Sequence, residues 1–142
     1  MKKFKFNLEK ILKLRSWNEN DAKVELGRAV SSLAEIENNI KIVAQKKIET
    51  SNEQYASIGE NKRNGKDRIS TNNISDFRIY DSHIKYLQQQ TDHLLQEAAA
   101  AEMEVEAKRE QWVEKKSELK IMENLKDKRF AQYKKDSLKE ME

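Results

Sequence analysis

The chain has 142 residues, 37% of them charged and 37% hydrophobic, with three glycines, no proline and no cysteine. A typical globular domain is only about a quarter charged, so these few apolar side chains suit a narrow seam and cannot fill a broad core. The absence of cysteine excludes disulfides, thiolate metal ligands and cysteine nucleophiles. Disordered chains share this low hydrophobicity but carry high net charge; here the net charge is +3 and the apolar residues recur with a helical period. Without proline, nothing forbids very long helices.

No apolar run approaches the ~20 residues of a membrane-spanning helix. Met1 to Phe6 opens like the basic start of a signal peptide, but Lys10, Lys13 and Arg15 interrupt the apolar stretch that would have to follow. The expectation is a soluble, cytosolic protein.

In chain order, the first predicted element is a helix over about 7–58. Asn7 stands as its cap, with Phe6 and Ile11 placed as a hydrophobic staple. Apolar residues then alternate in steps of four and three: Leu8, Leu12, a break at Arg15 and Glu19, then Ala22, Leu26, Ala29, Leu33, Ile36, Ile40 and Val43. Beyond Val43 the apolar set moves by one residue to Ala44, Ile48, Tyr55 and Ile58. That shift predicts a local change of winding inside a continuous helix.

The polar stretch 59–73, containing Gly59 and Gly65, predicts the loop. A second helix follows over about 74–138, with Asn73 as its cap and Asp76 three residues later. Its heptad is nearly unbroken. One row reads Phe77, Ile84, Thr91, Ala98, Val105, Trp112, Leu119; the other reads Tyr80, Leu87, Leu94, Ala101, Lys108, Lys115, Met122. Such spacing with charged flanks specifies a coiled coil.

The simplest closure is an all-α, antiparallel two-helix hairpin forming a single coiled-coil domain. Residues symmetric about position 66 then face one another: Leu33 with 98–101, Leu26 with Val105, Ile48 with Ile84, Tyr55 with Phe77. At 1.5 Å per residue, arms of 50–60 residues give a rod of about 75–90 Å. The same count leaves Phe130, Tyr133 and Leu138 in a tail unpaired beyond the N-terminus.

Chemistry is sparse. The glycines lack the lysine–serine ending and preceding strand of a phosphate-binding loop. His83 and His93 lie ten residues apart on different helix faces, which gives no convergent metal ligands. Carboxylates are abundant, but a two-helix rod has no water-excluding pocket to tune them. The expectation is therefore no enzyme, no catalytic or metal site and no cofactor. Residues 1–15 carry six Lys/Arg against one Glu. Without base-reading or stacking groups beyond Phe4 and Phe6, this basic segment points to an acidic protein surface in preference to nucleic acid.

Two apolar stripes lie off the seam. Ile79, His83 and Tyr86 share one face near the loop; Leu14, Trp17 and Val24 share one near the termini. Single exposed apolar residues are ordinary. A Trp beside a Leu is better explained by a partner, since Trp is enriched at interface hot spots.

The opening pattern Phe4-x-Phe6-x-Leu8-x-x-x-Leu12-x-x-Arg15-x-x-x-Glu19-x-x-Ala22-x-x-x-Leu26 resembles the flagellar FliJ family. Tyr80-x-x-His83-Ile84-x-x-Leu87 and Trp112-Val-Glu-Lys-Lys-x-x-Leu119 agree in order and spacing, although the family usually has Phe at the position of His83. The resemblance implies a cytoplasmic component of the flagellar type III export apparatus, similar to the central stalk of rotary ATPases and peripheral at the inner membrane through its partners. Those partners would be the hexameric export ATPase, the cytoplasmic domain of the export-gate membrane protein, and export chaperones. The implied ATPase-facing set is Phe4, Phe6, Lys10, Lys13, Leu14, Arg15 and Trp17, with Phe130 and Tyr133 from the tail. The implied gate-facing set is Tyr80, His83, Ile84 and Leu87. Three of these also read as seam, so Ile79, His83 and Tyr86 are the expected exposed contacts. An unrelated scaffolding coiled coil and the stalk of a virulence type III system share the same shape and stay open at this point.

Overall fold

The computed structural model describes the backbone of residues 3–63 and 71–141, and the side chains of 3–58 and 74–141. Two helices account for nearly all of it: α1, Glu9–Arg63, and α2, Thr71–Met141. They pair as an all-α helical hairpin, with no strand among the described residues. Contacts group into a terminal unit, Met1–Val30 with Met103–Glu142, and a loop-side unit, Ser31–Glu102.

Helix boundaries differ from expectation at three places. At the start, Asn7 and Leu8 form a turn in which the Glu9 amide donates to the Phe6 carbonyl (3.2 Å), and the Leu8 carbonyl accepts the first helical bond from Leu12 (2.9 Å). The cap position is therefore Leu8, not Asn7. Ile11 is 41% exposed while Phe6 is buried, and Phe6 lies under the Arg129 guanidinium of α2, 5.6 Å from its ring centre. At the other end, α1 passes through Gly59 to Arg63. An interior glycine costs only about 1 kcal/mol, which helix-forming neighbours such as Glu60 and Lys62 offset. Asn73 is likewise inside α2, which begins at Thr71. The remainder of the expected loop, 64–70, lies outside the described residues.

In the terminal unit, cross-helix contacts join Glu9 to Lys126 (3.0 Å), Arg15 to Glu118 (4.0 Å), Glu19 to Trp112 (3.0 Å) and Glu25 to Lys108 (3.3 Å). In the loop-side unit, Lys47 bonds Gln88, and the Gln54 side-chain amide donates to the Phe77 carbonyl (3.2 Å). Each pair is symmetric about a point within two residues of position 66, so the helices run antiparallel in the expected register.

The inward face of α1 keeps one strict heptad. Leu8, Leu12, Arg15, Glu19, Ala22, Leu26 and Ala29 are half-buried in the terminal unit. In the loop-side unit the inward residues are Leu33, Ile36, Ile40, Val43, Lys47, Thr50, Gln54 and Ser57. Two expectations fall with this. Arg15 and Glu19 do not break the seam, because Glu118 and the Trp112 indole N–H satisfy them from α2. Nor does the seam move to Ala44, Ile48 and Tyr55 after Val43. Thr50 and Gln54 are buried, whereas Ile48 is 55% and Tyr55 71% exposed. Helix phase outweighs side-chain polarity here because the inward polar groups are satisfied: the Thr50 hydroxyl donates to the Lys46 carbonyl (2.8 Å) and Gln54 to Phe77. Among the described residues, no buried side-chain nitrogen or oxygen lacks a partner.

The inward face of α2 follows its predicted rows from Tyr80 onward. Phe77, expected to open one row opposite Tyr55, is instead 39% exposed, because Tyr55 faces solvent and only the Phe77 carbonyl is engaged, by Gln54. Leu87 and Ala98 are buried in the loop-side unit, Val105 and Met122 in the terminal unit.

Gly27 lies inside α1 on its solvent side. A Cβ placed there meets no atom within 4 Å. Gly27→Ala is therefore expected to stabilise the protein by about 0.5–1 kcal/mol, through lower unfolded-state entropy and better helix propensity. A higher denaturant midpoint by circular dichroism is the check.

Candidate partner-binding surfaces

In the terminal unit, the residues proposed for the ATPase separate into two groups. Phe4 packs edge-on against Phe130 (ring centres 5.1 Å apart) and at a tilt against Tyr133 (5.5 Å). Lys134 sits 4.9 Å over the Phe130 ring. Phe130 and Tyr133 are thus not left unpaired, which corrects the expected tail. The reason is geometric: residues 3–6 are not helical, and non-helical chain can advance up to about 3.3 Å per residue against 1.5 Å in a helix. The N-terminal segment therefore reaches further along α2 than a helical count allows. Leu138, at 65% exposure, remains uncovered.

Phe4, Phe6, Arg15, Phe130 and Tyr133 are accordingly occupied in holding the hairpin end together. Arg15 and Glu118 are each about one-third exposed, and such a pair contributes little, about 0–1 kcal/mol. The outward group is Lys10, Lys13, Leu14 and Trp17. Leu14 is 55% and Trp17 73% exposed; they stand three residues apart, on one side of a helix. Lys10 precedes Leu14 by four residues and Lys13 precedes Trp17 by four. The result is an apolar pair with a cation one turn before each member.

Sequence reasoning missed a second source of charge. Residues 126–139 carry six Lys/Arg against two Asp, and Lys126 and Arg129 contact Glu9 and Phe6. Two basic segments far apart in the chain therefore share one end of the terminal unit. The charge run was visible; its coincidence with residues 1–15 required the antiparallel register. Further along this unit Glu106, Glu110 and Glu114 line an open groove beside Val113, together with Arg109, which pairs with Glu106 (3.2 Å).

In the loop-side unit, the six proposed gate residues also divide. Ile79, His83 and Tyr86 are exposed, at 66% for Ile79 and 54% for Tyr86. The His83 and Tyr86 rings stack with centres 6.3 Å apart, and Gln90 donates to the Tyr86 hydroxyl (2.9 Å). Tyr80 and Ile84 are half-buried and Leu87 is 2% exposed. All three lie along the seam; Leu87 is enclosed in it, whereas Tyr80 and Ile84 keep part of their surface in solvent. Also missed was the stripe of Ile48 and Tyr55 on α1. Ala44 and Ile48 line a shallow groove with Lys47, Ser51, Asn52, Gln88 and Thr91.

Among the described residues, no group of three His, Asp or Glu is placed to hold a metal ion, and no helix is long and apolar enough to cross a membrane. What the paired helices do present is outward stripes of apolar and charged side chains.

Neither a curated protein nor a solved structure matches the chain. The family model described as Flagellar FliJ protein matches residues 4–140, nearly the full length, spanning both the opening pattern and the stripe near the loop. The chain therefore belongs to the flagellar FliJ family, which supports a role related to flagellar protein export.

Proposed function

We propose that the chain is a non-catalytic coiled-coil stalk of the flagellar type III export apparatus, working at the cytoplasmic side of the inner membrane. In this reading the terminal unit binds the export ATPase and favours its hexamer. The loop-side unit contacts the cytoplasmic domain of the export-gate membrane protein and export chaperones. The observation that carries the proposal is the pairing of exposed Leu14 and Trp17 with a doubly basic helix end. Trp is enriched at interface hot spots, and clustered cations steer encounter with an acidic surface. A stalk promotes an assembly only by binding the assembled state better than its parts.

The test uses substitutions, because deleting residues 1–17 would also remove Phe4, Phe6, Leu8 and Leu12 from the hairpin. Leu14→Asp with Trp17→Asp is expected to weaken ATPase binding by about a hundredfold or more, since a hot-spot side chain contributes about 2 kcal/mol. Helicity should not change. Stimulation of ATP hydrolysis should also weaken between low and physiological salt, as screening shortens the reach of the basic end. Equal stimulation by variant and unaltered protein would end the ATPase assignment.

At the other surface, Ile79→Asp with Tyr86→Asp should weaken binding to the gate's cytoplasmic domain, measured by calorimetry, with no change in thermal midpoint. A large loss of thermal stability would instead show that these side chains support the seam.

A further inference from the structure

Residues 43–58 of α1 carry two heptad stripes one residue apart. The inward stripe is Val43, Lys47, Thr50, Gln54 and Ser57, with one apolar member in five. The adjacent stripe is Ala44, Ile48, Ser51, Tyr55 and Ile58, with the same steps of four and three and a single non-aromatic polar member. It is the second stripe that suits a coiled-coil seam, yet Ile48 and Tyr55 stand in solvent and Ser51 and Ile58 are only half-buried, while Thr50 and Gln54 are buried. We infer that this segment has two rotational settings against α2: the one described, and a second turned by one residue about the helix axis, with Ile48, Tyr55 and Ile58 inward.

The cover for the exposed stripe is α2 of the same chain. Tyr80, Ile84, Leu87 and Thr91 form one row of holes, and either stripe of α1 has the spacing to fill it. One residue corresponds to about 100° of rotation at 3.6 residues per turn. The second setting keeps Leu33, Ile36 and Ile40 in place and continues through Ala44 and Ile48, so that steps of four follow one another. That is a stutter, which a coiled coil absorbs by local unwinding. Unwinding and two cross-helix hydrogen bonds, Lys47 to Gln88 and Gln54 to the Phe77 carbonyl, hold the present setting. Both side chains would regain water on turning outward. The Thr50 hydroxyl bonds its own helix at the Lys46 carbonyl, so that bond survives the rotation. Burial of Ile48 and Tyr55 favours the second setting. Because the contributions on either side are few and each is worth only about 1–3 kcal/mol, neither setting is isolated from the other. The switch changes the surface shown: in one setting the flank offers Ile48 and Tyr55, in the other Lys47 and Gln54. This inference stands independently of the export partners.

The chain has no cysteine of its own, so engineered pairs report cleanly. In the full chain, Thr50→Cys with Ile84→Cys reads the present setting, and Ser51→Cys with Ile84→Cys reads the second. Both pairs are expected to form intramolecular disulfides under mild oxidation. Adding Ile48→Ser and Tyr55→Ser should slow the 51–84 disulfide by about tenfold or more by removing what draws the second setting inward, and leave 50–84 unchanged. The inference is overturned if 51–84 forms no faster than an outward control, Asn52→Cys with Ile84→Cys. It is equally overturned if the serine substitutions leave the 51–84 rate unaltered. Should Ile84→Cys lower helicity, Gln54→Cys and Tyr55→Cys compared against Tyr80→Cys ask the same question, with Ile48→Ser as the perturbing change and the same two outcomes.

Discussion

Leu87→Ala is expected to lower stability by about 2–4 kcal/mol, the usual range for removing a well-packed leucine. Leu87 is 2% exposed and lies in a seam only two helices wide. No broad core surrounds it, so few neighbours can move inward to fill the space. The matched control is Leu95→Ala on the same helix, where the side chain is 52% exposed and a change within about 0.5 kcal/mol is expected. Denaturant unfolding followed by far-UV circular dichroism measures both. Equal losses would mean that the inward face of α2 has been assigned to the wrong residues.

Thr50→Val combined with Gln54→Leu should act in the opposite direction. A satisfied hydrogen bond contributes a net of about 0.5–1.5 kcal/mol, whereas burying an aliphatic side chain contributes about 1.5–3 kcal/mol. Replacing both polar groups is therefore expected to raise stability by about 2 kcal/mol, seen as a higher denaturant midpoint. It should also suppress the 51–84 disulfide by anchoring the present setting. A destabilised double variant would show that the Gln54 bond to the Phe77 carbonyl, and not the lack of apolar surface, governs this part of the seam.

The same residues explain what could be read from sequence. The inward face of α2 was legible because Ile84, Leu87, Leu94, Ala98 and Val105 are apolar at coiled-coil spacing, so pattern and packing coincide. In α1 they separate. Arg15, Glu19, Thr50 and Gln54 point inward because the helix continues in phase and because Glu118, Trp112, the Lys46 carbonyl and the Phe77 carbonyl await them. A pattern built on hydrophobicity reads such polar groups as outward, because it cannot see the partner that satisfies them, on the other helix for Arg15, Glu19 and Gln54 and one turn back for Thr50. Among the surface candidates, Leu14, Trp17, Ile79 and Tyr86 were legible as outward because each falls off the apolar rows. The occupation of Phe130 and Tyr133 was not, since it depends on residues 3–6 lying outside the helix. The loop limits were blurred for a local reason: one glycine inside a long helix costs too little to end it.

The non-helical segment 3–6 has one more consequence. Phe4 can leave Phe130 and Tyr133 without breaking any hydrogen bond of α1, because the helical ladder begins only at the Leu8 carbonyl. A molecule that packs on the ring faces covered by Phe4 must first displace it, and Phe4 is tethered beside them at high local concentration. The N-terminal segment is thus a built-in competitor. It raises the affinity that a visitor to those covered faces needs, and its strength can be adjusted at Phe4 with every helical residue left as it is.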